Sequence, residues 1–152
     1  MNLTSGDSAP DCDLPTDESG GRIRLSALRG RPVVVYFYPK DDTSGCTREA
    51  QDFTASMPEI EARGAAVIGI SPDAPRSHDR FRAKYGLAVT LASDENKAVA
   101  TAWGVWVEKS LYGRKYMGVE RSTVLIDAEG KVAAIWRKVK VTGHAAAVLK
   151  AL

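Results

Sequence analysis

From Arg31 to Tyr38 the chain reads RPVVVYFY, a near-continuous run of β-branched and aromatic residues. Such a run predicts a strand buried on both faces, as in a parallel or mixed sheet with helices on each side. A polar loop follows. Then Cys46, Ala50, Phe53, Met57 and Ile60 recur at spacings of four, three, four and three, which is one stripe of a helix. Pro58 removes the backbone donor that would bond back to Thr54, so a kink or break is expected there, and Arg63–Gly64 closes the helix. AAVIGI reads as a second buried strand. DAPRSHDRFRAKYG reads as a helix with Pro75 near its start and Gly86 as its stop. VTLASD is a short strand and ENKAVATAWG a short helix closed by Gly104. RSTVLIDAEGKVAAIWRKVKV is a hairpin turning at Asp127–Gly130, and GHAAAVLKAL is a last helix begun by His144. Upstream, SAPDCDLP is extended, ESGG is a turn and RIRL the return strand of a hairpin.

The order is a hairpin, then β-α-β-α-β-α, then β-β-α. Alternating strands and helices that end in an antiparallel hairpin predict an α/β architecture with a mixed central sheet flanked by helices. The thioredoxin-like fold is the commonest small architecture with that order. The 152 residues suit a single domain, 1–152, able to bury roughly 70% of its unfolded surface. There is no internal repeat, low-complexity tract or linker.

Composition narrows the function. The formal net charge is +2 with acidic and basic residues interspersed, which is not the footprint of a nucleic-acid binder. No apolar run is long enough to span a membrane, and the N-terminus lacks a secretory pattern. The expectation is a cytoplasmic protein with no membrane or nucleic-acid partner. Two cysteines, Cys12 and Cys46, are too few for a disulfide scaffold. His78 and His144 stand far apart with no second ligand type at metal spacing, so neither a metal nor another cofactor is expected. His78 is expected on a solvated helix face.

The loop PKDDTSGC, from Pro39 to Cys46, carries the chemistry. A thiol in the first turn of a helix faces unpaired amides and the positive end of the helix dipole, and both favour the thiolate. The carboxyl end of a sheet strand is also where α/β folds place their sites. The plain alternative is a buried cysteine acting as a small hydrophobe. A thioredoxin-type exchanger needs C-x-x-C, but Thr43 and Glu49 occupy the flanking offsets. A cysteine phosphatase needs an arginine where Asp52 stands. No protease signature or phosphate loop is present. A thiol that reacts with peroxide needs a hydroxyl beside the sulfur, a fixed cation and a shield against water. Thr43 can supply the hydroxyl, and Pro39 can stiffen the loop and shield the thiolate.

Pro39, Thr43 and Cys46 form P-x-x-x-T-x-x-C, and VYFYPKDDTSGCTREAQDF resembles the peroxiredoxin Q family, also called bacterioferritin comigratory protein. The resemblance covers nearly the whole chain. APDCDLP is similar to the family's N-terminal segment, GISPD follows the second strand, and WGVWVEKSLYGRKYMGVERSTVLID resembles the segment that brings an active-site arginine, here Arg121. The resemblance implies a thiol-dependent peroxidase for hydrogen peroxide and organic hydroperoxides. Cys46 would be the peroxidatic cysteine that becomes a sulfenic acid. Arg121 would favour the thiolate and orient the peroxide. Thr43 would hydrogen-bond peroxide and sulfur, Pro39 would shield the pocket, and amides at Gly45 and Cys46 would add donors. Glu49, one turn along, would help hold the arginine.

Two departures stand out. Ser44 replaces the family's usual proline. The resolving cysteine, often five residues after the peroxidatic one, is Gln51 here, and the next helix holds none either. Cys12 stands where the family commonly has an inward-packing phenylalanine, so it reads as a core residue. As a displaced resolving cysteine it would have to bring its Cα within about 7 Å of that of Cys46. The favoured reading is a one-cysteine cycle completed by an external thiol: a thioredoxin, a glutaredoxin or a small thiol. A two-cysteine cycle through Cys12 and a peroxide-responsive redox sensor are the alternatives. The resemblance implies a monomer, with a dimer through the loop face left open. Trp106 is divided between pocket mouth and packing, Trp103 and Tyr112 read as packing, and Lys138 and Lys140 read as charges along an edge strand.

Overall fold

The computed structural model describes residues 3–152. Its centre is a five-stranded mixed sheet. Strand β3 (Val33–Phe37) is the middle strand and is buried along its whole length. It pairs in parallel with β4 (Ala66–Ser71), which pairs in parallel with β5 (Thr90–Ser93). On its other side β3 pairs antiparallel with β8 (Ser122–Ile126), and β8 with the edge strand β9 (Val132–Trp136). Two separate hairpins complete the strands: β1 (Asp13–Pro15) with β2 (Arg22–Arg24), and β6 (Trp106–Leu111) with β7 (Arg114–Val119). The helices are α1 (Ser44–Ala62), α2 (Pro75–Tyr85), α3 (Ala98–Ala102) and α4 (His144–Ala151), with a short 3-10 turn at Leu25–Leu28.

Side chains alternate across a strand, so β3 feeds two cores. Val33, Val35 and Phe37 join Leu14, Ile68, Ile70, Trp103, Val105 and Val124 on one face. Val34 and Tyr36 join Phe53 and Ile60 of α1, Phe81 of α2 and Val148 of α4 on the other. Cys12 packs against the first core, while Cys46 belongs to the second. The apolar stripe of α1 is as the spacing predicts: Cys46, Ala50, Phe53, Met57 and Ile60 are all buried.

Three expectations need correction, and one hairpin is additional. Helix α1 runs through Pro58 without a break. Pro58 lies on the exposed side, so water can reach the Thr54 carbonyl that loses its partner, while Met57 and Ile60 keep both flanks packed. The last strand ends at Trp136, so Lys138 and Lys140 lie beyond the sheet edge. Lys138 takes a left-handed φ of 49°, and the Val139 amide turns to the Arg121 carbonyl at 2.9 Å. The β6–β7 hairpin was not anticipated, because its strands alternate weakly and are largely exposed. His78 is not solvated but fully buried, at 0% exposure. It lies three and seven residues from Phe81 and Tyr85, on the packed side of α2.

Gly69 of β4 faces Tyr36 across the parallel pair. A Cβ built there would lie 2.6 Å from Tyr36 Cζ and 3.0 Å from Leu91 Cδ2. Both neighbours are fully packed, so neither can retreat cheaply. Gly69→Ala is expected to cost about 1–3 kcal/mol, read as a lower urea midpoint with an unchanged denaturant slope. An unchanged midpoint would mean that Tyr36 is free to move.

Candidate active site

The loop leaving β3 begins at Tyr38, which is buried, and passes through Pro39, which is exposed. It is anchored by Asp41. The Asp41 carboxylate accepts from the Tyr38 hydroxyl at 2.6 Å and the Ser77 hydroxyl at 2.7 Å, and it faces His78 Nδ1 at 2.7 Å. His78 Nε2 faces the Ala92 carbonyl at 3.1 Å. Both ring nitrogens therefore meet oxygen acceptors. The Asp41 amide donates to Asp73 Oδ2 at 2.8 Å, and Asp73 also accepts from Ser71 at 2.6 Å. The loop is thus tied to α2, β4 and β5 by buried polar contacts. Such networks rigidify when satisfied. Sequence reading missed this anchor. The signal for it was the apolar stripe of α2, on which His78 falls.

Thr43 is the N-cap of α1, with φ −102° and ψ 158°. Its hydroxyl does not cap the helix but donates to the Lys40 carbonyl at 2.9 Å. Its proton is therefore directed away from the sulfur, and its lone pairs remain free to accept. Cys46 is the third residue of α1, 1% exposed, and no acidic side chain stands in that first turn. The cysteine thus sits among the first-turn amides, at the positive end of a 19-residue helix.

The cation arrives from the other end of the sequence. Arg121 lies between β7 and β8, 75 residues from Cys46, and its backbone is held by the Val139 amide. Its Nη2 donates to Cys46 Sγ at 3.2 Å, and its Nη1 to Glu49 Oε1 at 2.6 Å. Gly45 makes room for this approach, since a Cβ there would stand 3.3 Å from Nη2. Burial opposes the Arg121 charge, but Glu49 and Cys46 beside it hold its proton more firmly than usual. Burial pushes the Glu49 carboxyl up to about 7 against the pull of Arg121. Its second oxygen, Oε2, has no hydrogen-bond partner among the described residues. Behind the site, burial first, then the charges of Glu49 and Cys46, push the Tyr36 phenol well above its usual range. It stays protonated.

Of the residues singled out by sequence, Cys46, Arg121 and Glu49 meet directly. Thr43 stands one turn before the sulfur, and Pro39 stands at the exposed entrance of the loop. Trp103 is core, packed on Phe37 at 5.4 Å. Trp106 packs against the first core with Lys97 over its ring, and Tyr112 sits at the hairpin tip, 97% exposed. Cys12 is half-buried, and its thiol is raised to about 11 by burial and by Asp11. No group of three metal-ligating side chains occurs among the described residues, and no helix there is long and apolar enough to cross a membrane. The arrangement can hold a thiolate, offer N–H donors to a leaving oxygen and keep bulk water off the sulfur.

The comparisons with known proteins agree with this chemistry. Residues 5–135 match the family model described as AhpC/TSA family. The chain is 51% identical to peroxiredoxin Bcp of Xanthomonas campestris over 92% of its own length and 88% of that protein's. It is 44% identical to peroxiredoxin Bcp of Bacillus subtilis over 100% and 96%. Among solved structures, a cysteine-to-serine variant of Xylella fastidiosa PrxQ superposes with a TM-score of 0.93 at 35% identity, over 99% of this chain and 96% of that one. The X. campestris bacterioferritin comigratory protein, described for its alkyl peroxide reduction activity, superposes with a TM-score of 0.87 at 47% identity, over 92% and 88%.

The raised carboxyl of Glu49 has a measurable consequence. Between the ordinary value of 4.5 and about 7 the folded chain keeps a proton that the unfolded chain has lost. The stability contributed by that proton is complete below about pH 4.5 and lost as pH rises through about 7. Urea unfolding of the parent is expected to lose up to about 3 kcal/mol across that window relative to Glu49→Gln. Equal losses in both proteins would assign the proton to another group.

Proposed function

This chain belongs to the AhpC/TSA family of peroxiredoxins and is a thiol peroxidase, and on that premise we propose that Cys46 is its peroxidatic cysteine, served by Arg121, Thr43 and Pro39 in a one-cysteine cycle. The observation that carries the reading is the 3.2 Å hydrogen bond from Arg121 to the Cys46 sulfur, made by two residues 75 positions apart in the chain.

In the first step the Cys46 thiolate attacks the terminal oxygen of the hydroperoxide. The S–O bond forms as the O–O bond breaks, and the electron pair leaves on the distal oxygen, which takes a proton to become alcohol or water. Cys46 becomes a sulfenic acid. Arg121 holds the thiolate and supplies N–H donors to the charge developing on the peroxide oxygens. Thr43, whose hydroxyl donates to the Lys40 carbonyl, accepts a hydrogen bond from the peroxide O–H. Pro39 stiffens the loop at the entrance. Glu49 positions Arg121 through the 2.6 Å contact and does not touch the peroxide.

In the second step a thiol attacks the sulfenic sulfur, water leaves, and a mixed disulfide forms. A second thiol then exchanges it and restores Cys46. Two observations support an external thiol over Cys12. The two cysteines belong to cores on opposite faces of the central sheet. The Cys12 thiol, raised to about 11, is also a poor source of thiolate at neutral pH. The reductant is a thiol supplied by a thioredoxin, a glutaredoxin or a small molecule.

One equivalent of hydrogen peroxide is expected to add one oxygen to Cys46, trappable by added thiol, as read by peptide mass. Loss of two hydrogens with Cys12 joined to Cys46 would overturn the one-cysteine cycle. With thiol in excess, many equivalents of peroxide are consumed, whereas a sensor would stop at one.

Cys46→Ser is expected to abolish turnover. Arg121→Ala is expected to lower the peroxide rate constant by about 10²–10³-fold while the far-ultraviolet spectrum is kept. Parent-like peroxide consumption by Cys46→Ser would remove Cys46 from the role.

A further inference from the structure

A groove of about 470 Å³ opens beside the site, with Arg121 as one wall. The β6–β7 hairpin, through Lys109 and Tyr116, and the segment after β9, through Lys138, form the others. Three of its groups are cations: Lys109, Lys138 and Arg121. Its carboxylates are Glu108 and Glu120, and Glu108 already faces Lys115 at 3.7 Å. Neither Lys109 nor Lys138 makes an ion pair among the described residues, and with Arg121 they give the lining one more cation than its two carboxylates, Glu108 and Glu120, can balance. The backbone reinforces this. Lys138 stands at φ 49°, a conformation that costs a side-chain-bearing residue on the order of 1 kcal/mol, and the Val139 amide that holds it there is bonded to Arg121 itself. The chain thus accepts strain to bring a lysine beside the arginine that touches the sulfur.

We propose that this groove seats the reductant of the sulfenic acid, and that the reductant is a small thiol carrying carboxylates. The inference rests on the one-cysteine reading above. A carboxylate on Lys109 and Lys138 would place such a molecule against the wall formed by Arg121, with its sulfur directed toward Cys46. The chemistry balances as already given: the small thiol's sulfur bonds to Cys46 Sγ as the S–O bond breaks, the sulfenic hydroxyl leaves as water with the thiol proton, and a second molecule of the thiol releases the first as its disulfide. A hydroperoxide needs no such charge, being small and neutral at its reacting end. A protein reductant would cover the hairpin rather than sit between its strand and Lys138.

The test separates the two half-reactions. Cys46 of the parent and of Lys109→Glu/Lys138→Glu is oxidised with one equivalent of peroxide. The rate constant for loss of sulfenic acid is then measured by stopped flow with three probes: glutathione (anionic), 2-mercaptoethanol (neutral) and cysteamine (cationic). In the double variant the rate constant for glutathione is expected to fall roughly tenfold relative to that for 2-mercaptoethanol, and that for cysteamine to rise relative to it. In the parent, added salt is expected to slow glutathione alone. The milder Lys109→Gln/Lys138→Gln pair is expected to show the same order with a smaller span. If all three thiols change in parallel, or none does, the groove is not the thiol seat. If a thioredoxin-class protein reduces the parent far faster than glutathione and loses that advantage in the double variant, the surface serves a protein, and the small-thiol proposal is overturned. If the parent forms no sulfenic acid at Cys46, the one-cysteine reading itself falls.

Discussion

Everything at this site depends on one guanidinium being held in two places at once. Arg121 gives one edge to the Cys46 sulfur and the other to Glu49. A planar fork with donors in fixed positions suits this division, and a lysine would not. The cost is a carboxylate buried almost completely, with one oxygen unpartnered among the described residues. Burial wins over the attraction of Arg121, and the Glu49 carboxyl titrates near neutrality. When Glu49 is protonated, the guanidinium charge belongs to the sulfur alone. When it is ionised, the charge is shared. The strength of the cation felt by Cys46 is therefore set by Glu49, one turn further along α1.

The fold supplies the geometry from three directions. The sheet registers β3 beside β8, which brings the segment before β8 level with the loop after β3. The contacts of Asp41 fix that loop to α2 and to Asp73 just beyond β4, and His78 carries the tie on to β5. The stripe of α1 buries Cys46 into the second core, so that its sulfur meets the arginine at the end of the helix. Gly45 and Gly69 mark two of the close approaches, one by Arg121 and one by Tyr36.

Much of this was legible in the residues. The run around Val34 is so uniformly apolar that only a two-faced central strand fits it. The α1 stripe is equally explicit, because five buried positions recur at helical spacing. Cys46 stands out as a candidate from its place in the first turn of a helix, and Thr43 and Pro39 as candidates from their spacing to it. Arg121 could not be read that way. No local pattern says that a residue 75 positions away will meet the sulfur, and only the family resemblance pointed to it. His78 was misjudged because a histidine among charged neighbours looks solvated, although its spacing to Phe81 says otherwise. The β6–β7 hairpin was missed because its exposed strands carry no alternation to read. The lysines after Trp136 alternate like a strand, but the left-handed turn at Lys138 depends on a tertiary bond to Arg121, which sequence spacing does not encode.

The placement of the two cysteines in separate cores changes what the oxidised fraction of the protein means. On the one-cysteine reading, Cys46 is oxidised by one collision, its sulfenic acid is removed by a second and the thiol is restored by a third, and no internal step intervenes. The steady level of sulfenic acid then depends on a quotient: peroxide concentration times its rate constant, divided by thiol concentration times its own. A chain with an internal partner would settle at a disulfide whose level follows the redox poise of a single couple. Here the oxidised population compares two solute pools directly, and it rises either when peroxide floods in or when thiol runs short.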